Sequence, residues 1–221
     1  IRLVARGQFQ QETAEKVLSS GRYPCRNIPQ NLADLKAQVA ANETGRQGLL
    51  KVAEHYGLDV VTAYMGHVQD NAEESVRRVL GTLPGGSYDY EMDHGAHIRV
   101  SVTVDQDTRE AVIDFTGTAP QHSGNYNAPF SICRAVVLYV FRTLVGTNIP
   151  LNEGCLHPLK IIAPVGTMLN PTYPAAVIAG NTEVSQAVCN ALYGALGFIA
   201  GSQATMNNFV WGNEEFQNYE T

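Results

Sequence analysis

The stretch HIRVSVTVDQDTREAVIDFTG, residues 97–117, decides the fold class of this 221-residue chain. Every second residue in its first half is apolar, namely Ile98, Val100, Val102 and Val104. Such alternation is typical of a strand with one buried face, and the DQDTRE turn joins it to a second apolar run. The residues just before it, from Tyr88 to Asp93, alternate in the same way. The sequence therefore predicts an antiparallel β-meander with one solvent-exposed face.

Two long helices are predicted before the meander. We expect Asn31 to cap the first, which continues with apolar residues at helical spacing to Tyr56 and ends at Gly57. Asp59 is expected to cap a second helix that runs to Leu80. Because the connection between them is so short, the two helices are predicted to form a long antiparallel helical hairpin.

After the meander, helices and strands are mixed. The sequence predicts an apolar helix over 131–145, short strands at 159–163 and near 175–178, and a helix from about residue 183. This last helix is rich in Ala and Gly, which predicts that it is buried. The order of elements predicts an α+β fold with a helical region at 1–83 and an α+β region at 84–221.

Composition excludes several classes of protein. The chain is 44% hydrophobic and 16% charged with a net charge of -6, so we expect no nucleic-acid partner. The longest apolar run, at 135–141, is far shorter than the roughly 20 residues of a membrane-spanning helix, so no membrane partner is expected. The four cysteines are far apart and are predicted to be reduced, packed thiols. The chain starts without Met or a signal segment and ends within a predicted strand, so we expect it to be cut from a longer protein.

Familiar catalytic motifs are absent from the sequence. It contains no GxxxxGK[ST], no GxGxxG after a strand, no GxSxG and no HExxH. We therefore do not expect this chain to hold ATP in a phosphate-binding loop or to run nucleophile-elbow hydrolysis by itself.

Two clusters have the spacing of metal ligands, but another interpretation is favoured for each. His67, Asp70 and Glu74 share one helix face, where ion pairs with Arg77 and Arg78 are the alternative to a metal. In the second cluster, Asp93, His94 and His97, the strand period sends the two histidines to opposite faces unless Gly95 kinks the chain. No metal site is therefore predicted in this chain.

Amide side chains are concentrated in a few segments. These are the loop TGTAPQHSGNYNAP at 116–129 with Asn125 and Asn127, the segment PLNEGCLHP with Asn152 and Glu153, the segment SQATMNNF with Thr205, Asn207 and Asn208, and the first turn of the last helix with Asn181, Thr182, Glu183, Ser185 and Gln186. Asn181 or Thr182 can cap that helix, and the loop asparagines can form either a site or a helix-capping turn.

Capping accounts for only one or two of the polar groups at the last helix. An unpaired buried polar group costs about 1–3 kcal/mol, so the others form either a satisfied internal network or the wall of a pocket. We favour the pocket, because neutral amides beside a helix N-terminus suit a small, polar, amide-like or carboxylate ligand.

Several strings together resemble the hydantoinase B/oxoprolinase family, among them YMGHVQDNAEESVRRVL, IDFTGTAPQHSGNYNAP, IPLNEGCLHPLKIIAP and AGNTEVSQAV. The resemblance is strongest to B-type subunits of 5-oxoprolinase or N-methylhydantoinase. It implies ATP-dependent opening of 5-oxoproline or a hydantoin, with ATP and Mg²⁺ bound by an A-type partner subunit. Carboxylase relatives that act on acetone or acetophenone remain an alternative. The family's divalent metal is expected outside this chain, which resembles a central fragment.

From the residues and the resemblance together we expect Glu153 and Glu183 to position water. The residues expected to bind the lactam are Asn125, Asn127, Asn152, Asn181 and Gln186. The enzyme is expected to be a cytoplasmic, oligomeric, heteromeric complex in which this fragment alone is inactive. The alternative is a non-catalytic module whose helical hairpin docks the A-type partner or a second copy.

Overall fold

The structure, a computed structural model, describes residues 1–21, 24–202, 209–215 and 217–220. It confirms the α+β class. The chain forms two compact units, Ile1–Met65 and Gly66–Thr221, and the domain boundary at residue 83 stays a prediction. No helix in the described ranges is both long enough and apolar enough to cross a membrane.

The first unit begins with a small hairpin and a short helix. Strands β1 (Val4–Ala5) and β2 (Gln8–Phe9) pair antiparallel and lead into α1 (Gln11–Leu18). Helix α1 packs against the long helix α2 (Ile28–Tyr56). Asn27 rather than Asn31 caps α2, because its side-chain oxygen accepts the Gln30 N–H at 3.3 Å. The predicted cap was therefore wrong by one turn.

Helix α3 (Leu58–Leu80) follows α2 after the single residue Gly57, so two long consecutive helices are confirmed. Asp59 lies inside the first turn of α3 and is not its cap. Leu49, Tyr56 and Tyr64 on these helices are 53%, 61% and 66% exposed. Polar Asn42 and Arg46 occupy the positions where the apolar stripe of α2 would have continued from Val39 to Leu49.

The second unit is built on a four-stranded sheet in the order β3-β4-β5-β6. Its strands are β3 (Gly86–Glu91), β4 (His97–Asp105), β5 (Glu110–Asp114) and β6 (Leu159–Ile162). The first three form the predicted antiparallel meander, and β6, predicted at 159–163, joins parallel to β5. Ile98, Val100 and Val102 of β4 are buried, whereas the residues between them are exposed.

Two helices form the rest of the core. Helix α4 (Phe130–Leu144) packs against α5 (Glu183–Leu196), which lies on β3 and β4. A Cβ on Gly194 would lie 2.6 Å from the Tyr88 ring, so the predicted close approach around the small-residue helix is confirmed. Cys133, Cys155 and Cys189 are buried free thiols, and Cys25 is exposed.

The segment before α5 differs from its prediction. The strand expected near 175–178 is absent, and a 3₁₀ turn forms at Ile178–Gly180 instead. Pro171 and Pro174 precede this segment, and proline has no N–H to donate to a ladder. The described end of the chain pairs β7 (Phe209–Gly212) with β8 (Gln217–Glu220) antiparallel, which confirms the strand predicted there.

Candidate functional site

Asn127 holds the amide-rich loop together from inside the protein. Its side chain is fully buried and makes four hydrogen bonds to backbone groups. The oxygen Oδ1 accepts the His122 N–H at 2.7 Å, and Nδ2 donates to the carbonyls of His122, Gly124 and Ala176 at 3.0, 3.0 and 2.8 Å. Since these bonds use the amide's main hydrogen-bonding capacity, Asn127 acts on the loop's shape.

The loop is also tied to the segment that precedes α5. The side-chain oxygen of Gln121 accepts the Thr172 N–H at 2.9 Å, and the Ala179 N–H donates to the Asn125 carbonyl at 3.2 Å. A Cβ on Gly180 would lie 2.7 Å from the Asn127 carbonyl oxygen, so only glycine permits this approach. The two segments therefore meet at the start of α5.

The first turn of α5 carries several polar side chains. Thr182 occupies the N-cap position and its side chain makes no capping hydrogen bond, so the expected capping role of this residue is wrong. Ser185 donates to the Asn181 carbonyl at 2.7 Å, and Gln186 donates to the Asn190 side chain at 3.4 Å. These groups border two cavities.

We call the smaller one the loop–α5 cavity; its volume is about 330 Å³. It is lined by His122, Gly124, Asn125, Tyr126, Ile178, Ala179, Thr182 and Glu183. Asn125 and Glu183, both predicted site residues, thus come together although they are distant in sequence. The half-buried carboxylate is a hydrogen-bond acceptor beside hydroxyl and amide groups, an arrangement that suits a small polar ligand.

The larger one, the α4–α5 cavity, has a volume of about 600 Å³. Its lining residues are Ile132, Ala135, Val136, Tyr139, Asn181, Ser185, Gln186, Cys189, Tyr193, Ala200 and Ser202. The α4 wall is mostly apolar, and the α5 wall carries the predicted residues Asn181 and Gln186. Burial raises the pKa of the Cys189 thiol, so this thiol is protonated at neutral pH.

Asn152 and Glu153 lie at another place in the fold. The Asn152 side chain accepts the Gly154 N–H at 2.9 Å and donates to the Val68 carbonyl at 3.3 Å. Glu153 pairs with Arg134 and lines a cavity of about 200 Å³. Of the predicted site residues, the structure therefore brings together Asn125 with Glu183 and Asn181 with Gln186. Their functional roles stay predictions.

The histidines and carboxylates of the two clusters with metal-ligand spacing make pairwise contacts in the structure. His67 and Asp70 are exposed and 3.9 Å apart, and Glu74 binds Arg109 at 3.0 Å. His97 contacts Asp89 at 2.7 Å. In the part of the chain that the structure describes, no three His, Cys, Asp or Glu side chains are placed to hold a metal ion. Thr205, Asn207 and Asn208 lie outside the described residues.

Sequence reasoning missed several residues that line the two cavities. Tyr139 and Tyr193 were assigned only to apolar helices, yet both line the α4–α5 cavity, where the Tyr193 hydroxyl lies 3.3 Å from the Thr143 hydroxyl. The available signal was chemical, because the hydroxyl of a tyrosine within an otherwise apolar helix needs a hydrogen-bond partner or water. No comparable signal marked Tyr126 beside the smaller cavity.

Comparison with known proteins assigns these features to a family. The sequence model of the hydantoinase B/oxoprolinase family matches residues 1–221. The chain belongs to the hydantoinase B/oxoprolinase family. It is 41% identical to 5-oxoprolinase 1 of Arabidopsis thaliana over 244 residues, which covers 100% of this chain and 19% of that protein. The chain thus spans about a fifth of the length of this relative and of the 5-oxoprolinase of Dictyostelium discoideum.

Two solved structures share the fold of this family member. An ATP-dependent caprolactamase from Pseudomonas jessenii matches with a TM-score of 0.67 at 24% identity, covering 88% of this chain and 35% of that chain. Acetone carboxylase in its nucleotide-free structure matches with a TM-score of 0.67 at 15% identity, covering 89% of this chain and 28% of that chain. At these identities the likeness concerns the fold alone.

Proposed function

We propose that this chain is the central B-type region of an ATP-dependent enzyme that opens a cyclic amide, 5-oxoproline or a hydantoin. Its nucleotide site lies on an A-type partner, which binds ATP with Mg²⁺, and the complex works in the cytoplasm. One observation carries the proposal: Asn125 and Glu183 meet in the loop–α5 cavity of a chain that is about 40% identical to 5-oxoprolinases.

The chemistry of the cavity agrees with a lactam substrate. A cyclic amide presents its N–H and C=O on the same side, so it needs an acceptor and a donor close together. Glu183 supplies the acceptor, and the Asn125 amide and Thr182 hydroxyl can donate. A volume of about 330 Å³ is at the small end for ligand pockets, as expected for a single ring.

The reaction divides between the two components. An unstrained amide resists water because resonance stabilises it, and transfer of the γ-phosphoryl group of ATP, bound by the partner, to the amide oxygen activates the carbon. Water then adds to that carbon, the C–N bond breaks as the ring nitrogen takes a proton, and the resulting acyl phosphate is hydrolysed to a carboxylate and phosphate. The residues of this chain then have to hold the ring and a water molecule in place. In this proposal Glu183 holds the water molecule and Asn125 holds the ring. Asn181 and Gln186 contact the substrate from the adjacent side of the α5 turn.

The other predicted residues receive lesser roles. Asn127 supports the site through its bonds to the loop backbone. Asn152 binds Gly154 and Val68 at another place in the fold and is assigned no contact with the ring. Glu153, paired with Arg134, is a second candidate for positioning water. The metal expected for the family does not fit the described residues of this chain, and no step of the proposed reaction involves it here.

The test uses the full-length protein with its nucleotide-binding partner. ATP hydrolysis and ring opening are measured with 5-oxoproline, hydantoin and caprolactam, and with acetone plus bicarbonate for the carboxylase alternative. Glu183→Gln should lower cyclic-amide turnover at least roughly tenfold, since one positioned catalytic group contributes at least that much. The exposed Glu91→Gln variant is the matched control.

A parallel variant examines the larger cavity. Asn181→Ala should also lower turnover at least roughly tenfold, and Asn148→Ala, at an exposed loop position, should not. Unchanged turnover in Asn181→Ala would remove the α4–α5 cavity from the site. Unchanged turnover in Glu183→Gln would refute the assignment of the loop–α5 cavity.

The second candidate function is a non-catalytic module that docks the A-type partner. It is favoured by the large apolar side chains that remain exposed on α2 and α3, including Leu49, Tyr56 and Tyr64. Replacing these three residues with Ser should then abolish co-purification of the partner. Under this function Glu183→Gln and Asn181→Ala would leave turnover of the assembled complex unchanged.

A further inference from the structure

The His122 ring is fixed in the wall of the loop–α5 cavity. Its Nδ1 atom accepts the Gly124 N–H at 2.9 Å. The ring also meets the His94 ring edge-on with centroids 5.0 Å apart, and the Tyr126 ring with centroids 5.5 Å apart. His94 and Tyr126 stack on each other at 4.5 Å, so the three rings form one cluster. A ring held on several sides is well placed to present one defined atom to a ligand.

The bond from Gly124 determines which atom His122 presents. An Nδ1 that accepts a hydrogen bond carries a lone pair, so the ring proton resides on Nε2. Among the residues that the structure describes, none bonds to Nε2. No described side-chain nitrogen or oxygen is both buried and unpaired. The Nε2–H group is therefore an unpaired donor that is accessible to solvent.

Two features of the backbone preserve this arrangement. A Cβ on Gly124 would lie 3.1 Å from Cε1 of the His122 ring, closer than a relaxed contact. The main-chain N–H and C=O of His122 are both bound by the buried Asn127 side chain, at 2.7 and 3.0 Å. A substitution of the His122 side chain therefore leaves both bonds to Asn127 in place and removes only the acceptor of the Gly124 N–H.

The cavity pairs this donor with an acceptor. Glu183 lines the same space of about 330 Å³, and its carboxylate can only accept hydrogen bonds when ionised. A donor and an acceptor in one small cavity match the C=O and N–H of a single cyclic amide. Asn125 and Thr182 can contact the rest of the ring.

We propose that His122 is a substrate-contacting residue whose Nε2–H donates to the oxygen of the cyclic amide while Glu183 faces its nitrogen side. This inference rests on the proposed function and adds the donor that recognises the reacting group. Gly124 is a positioning residue, because it orients the His122 ring by its N–H and by its lack of a side chain.

The experiment compares two substitutions in the full-length protein assembled with its nucleotide-binding partner. His122→Phe keeps an aromatic ring for the cluster and removes both the Nε2–H donor and the Nδ1 acceptor of the Gly124 N–H. His122→Gln places an amide nitrogen near the position of Nε2 and retains a donor. We expect kcat/KM for the substrate of the wild-type enzyme to fall at least roughly 30-fold in His122→Phe and less than roughly tenfold in His122→Gln. His55→Phe, at an exposed position on α2, is the control and should match wild type.

The outcomes separate the inference from the function on which it rests. Equal losses in His122→Phe and His122→Gln would assign the ring to packing and overturn the inference, and so would full activity of His122→Phe. In both cases an active wild type would leave the proposed function standing. If the wild-type complex turns over no cyclic amide, the inference and the proposed function are both refuted. Thermal unfolding of each variant checks that the protein is folded.

Discussion

Replacing Asn127 with Ala should loosen the loop that forms one wall of the candidate site. The substitution removes four hydrogen bonds and leaves the His122 N–H and three carbonyls without their partner. At about 1 kcal/mol for each bond, the local free energy of opening should fall by about 3–5 kcal/mol. Since each 1.4 kcal/mol is a factor of ten, the loop should open at least roughly 100-fold more often.

Hydrogen–deuterium exchange of the full-length protein measures this opening directly. The His122 amide, which donates to Asn127 Oδ1 at 2.7 Å, should exchange at least roughly 100-fold faster in Asn127→Ala. Peptides from β4, whose amides bond within the sheet, should change little. Asn148→Ala removes an exposed amide and is the matched control. An acceleration below about fivefold at His122 would refute the view that Asn127 holds the loop.

Two further predictions concern the support of the site. Gly86→Ala should lower stability by about 1–3 kcal/mol, because the new Cβ would lie 2.2 Å from the Ala195 carbonyl oxygen and push α5 away from β3. Thermal unfolding compares it with Gly146→Ala, where a Cβ meets no atom within 4 Å, and equal melting temperatures would contradict the close seat of α5. Glu73 should make stability depend on acid pH. Burial alone would raise its pKa, but hydrogen bonds from His157 and Arg77 outweigh that effect and hold the pKa below 4.5. Because the folded pKa is the lower one, this stabilisation is present above the unfolded pKa and is lost as pH falls through the folded value. Glu73→Gln should therefore flatten the decline of the melting temperature as pH falls below about 4.5, and an unchanged profile would refute the ion-pair assignment.

The sheet was predicted well because every second residue is apolar in a strand with one solvent-exposed face, and this alternation can be read directly from the sequence. The alternation in β4 identified Ile98, Val100 and Val102 as the buried set, and the structure buries all three. The small residues of α5 similarly indicated a helix in close contact with its neighbours. The strand predicted near 175–178 was wrong, because a short apolar run does not distinguish a strand from an irregular segment, especially after Pro174.

The candidate site was predictable only in part. The polar residues crowded at the start of α5 line two cavities, and their role in binding a ligand stays a prediction. The sequence could not show which amides turn inward, because Asn125 and Asn127 are two residues apart with the same side chain. One is exposed beside the loop–α5 cavity, and the other is fully buried with four bonds. Only the path of the loop, fixed by contacts with 172–180, distinguishes them.

The placement of the site follows from close backbone approaches at both ends of α5. At its start, Gly180 allows the preceding turn to contact the Asn127 carbonyl, which brings Thr182 and Glu183 to the amide-rich loop. At its end, Gly194 and Gly86 let the helix lie directly on β3. A carboxylate on a helix held at both ends has little freedom to move away from a loop that is itself held by Asn127. Asn127 and the glycines at both ends of α5 therefore hold the loop and the helix in place. They fix the distance between donor and acceptor before a ligand binds, which the exposed polar residues of the site cannot do by themselves.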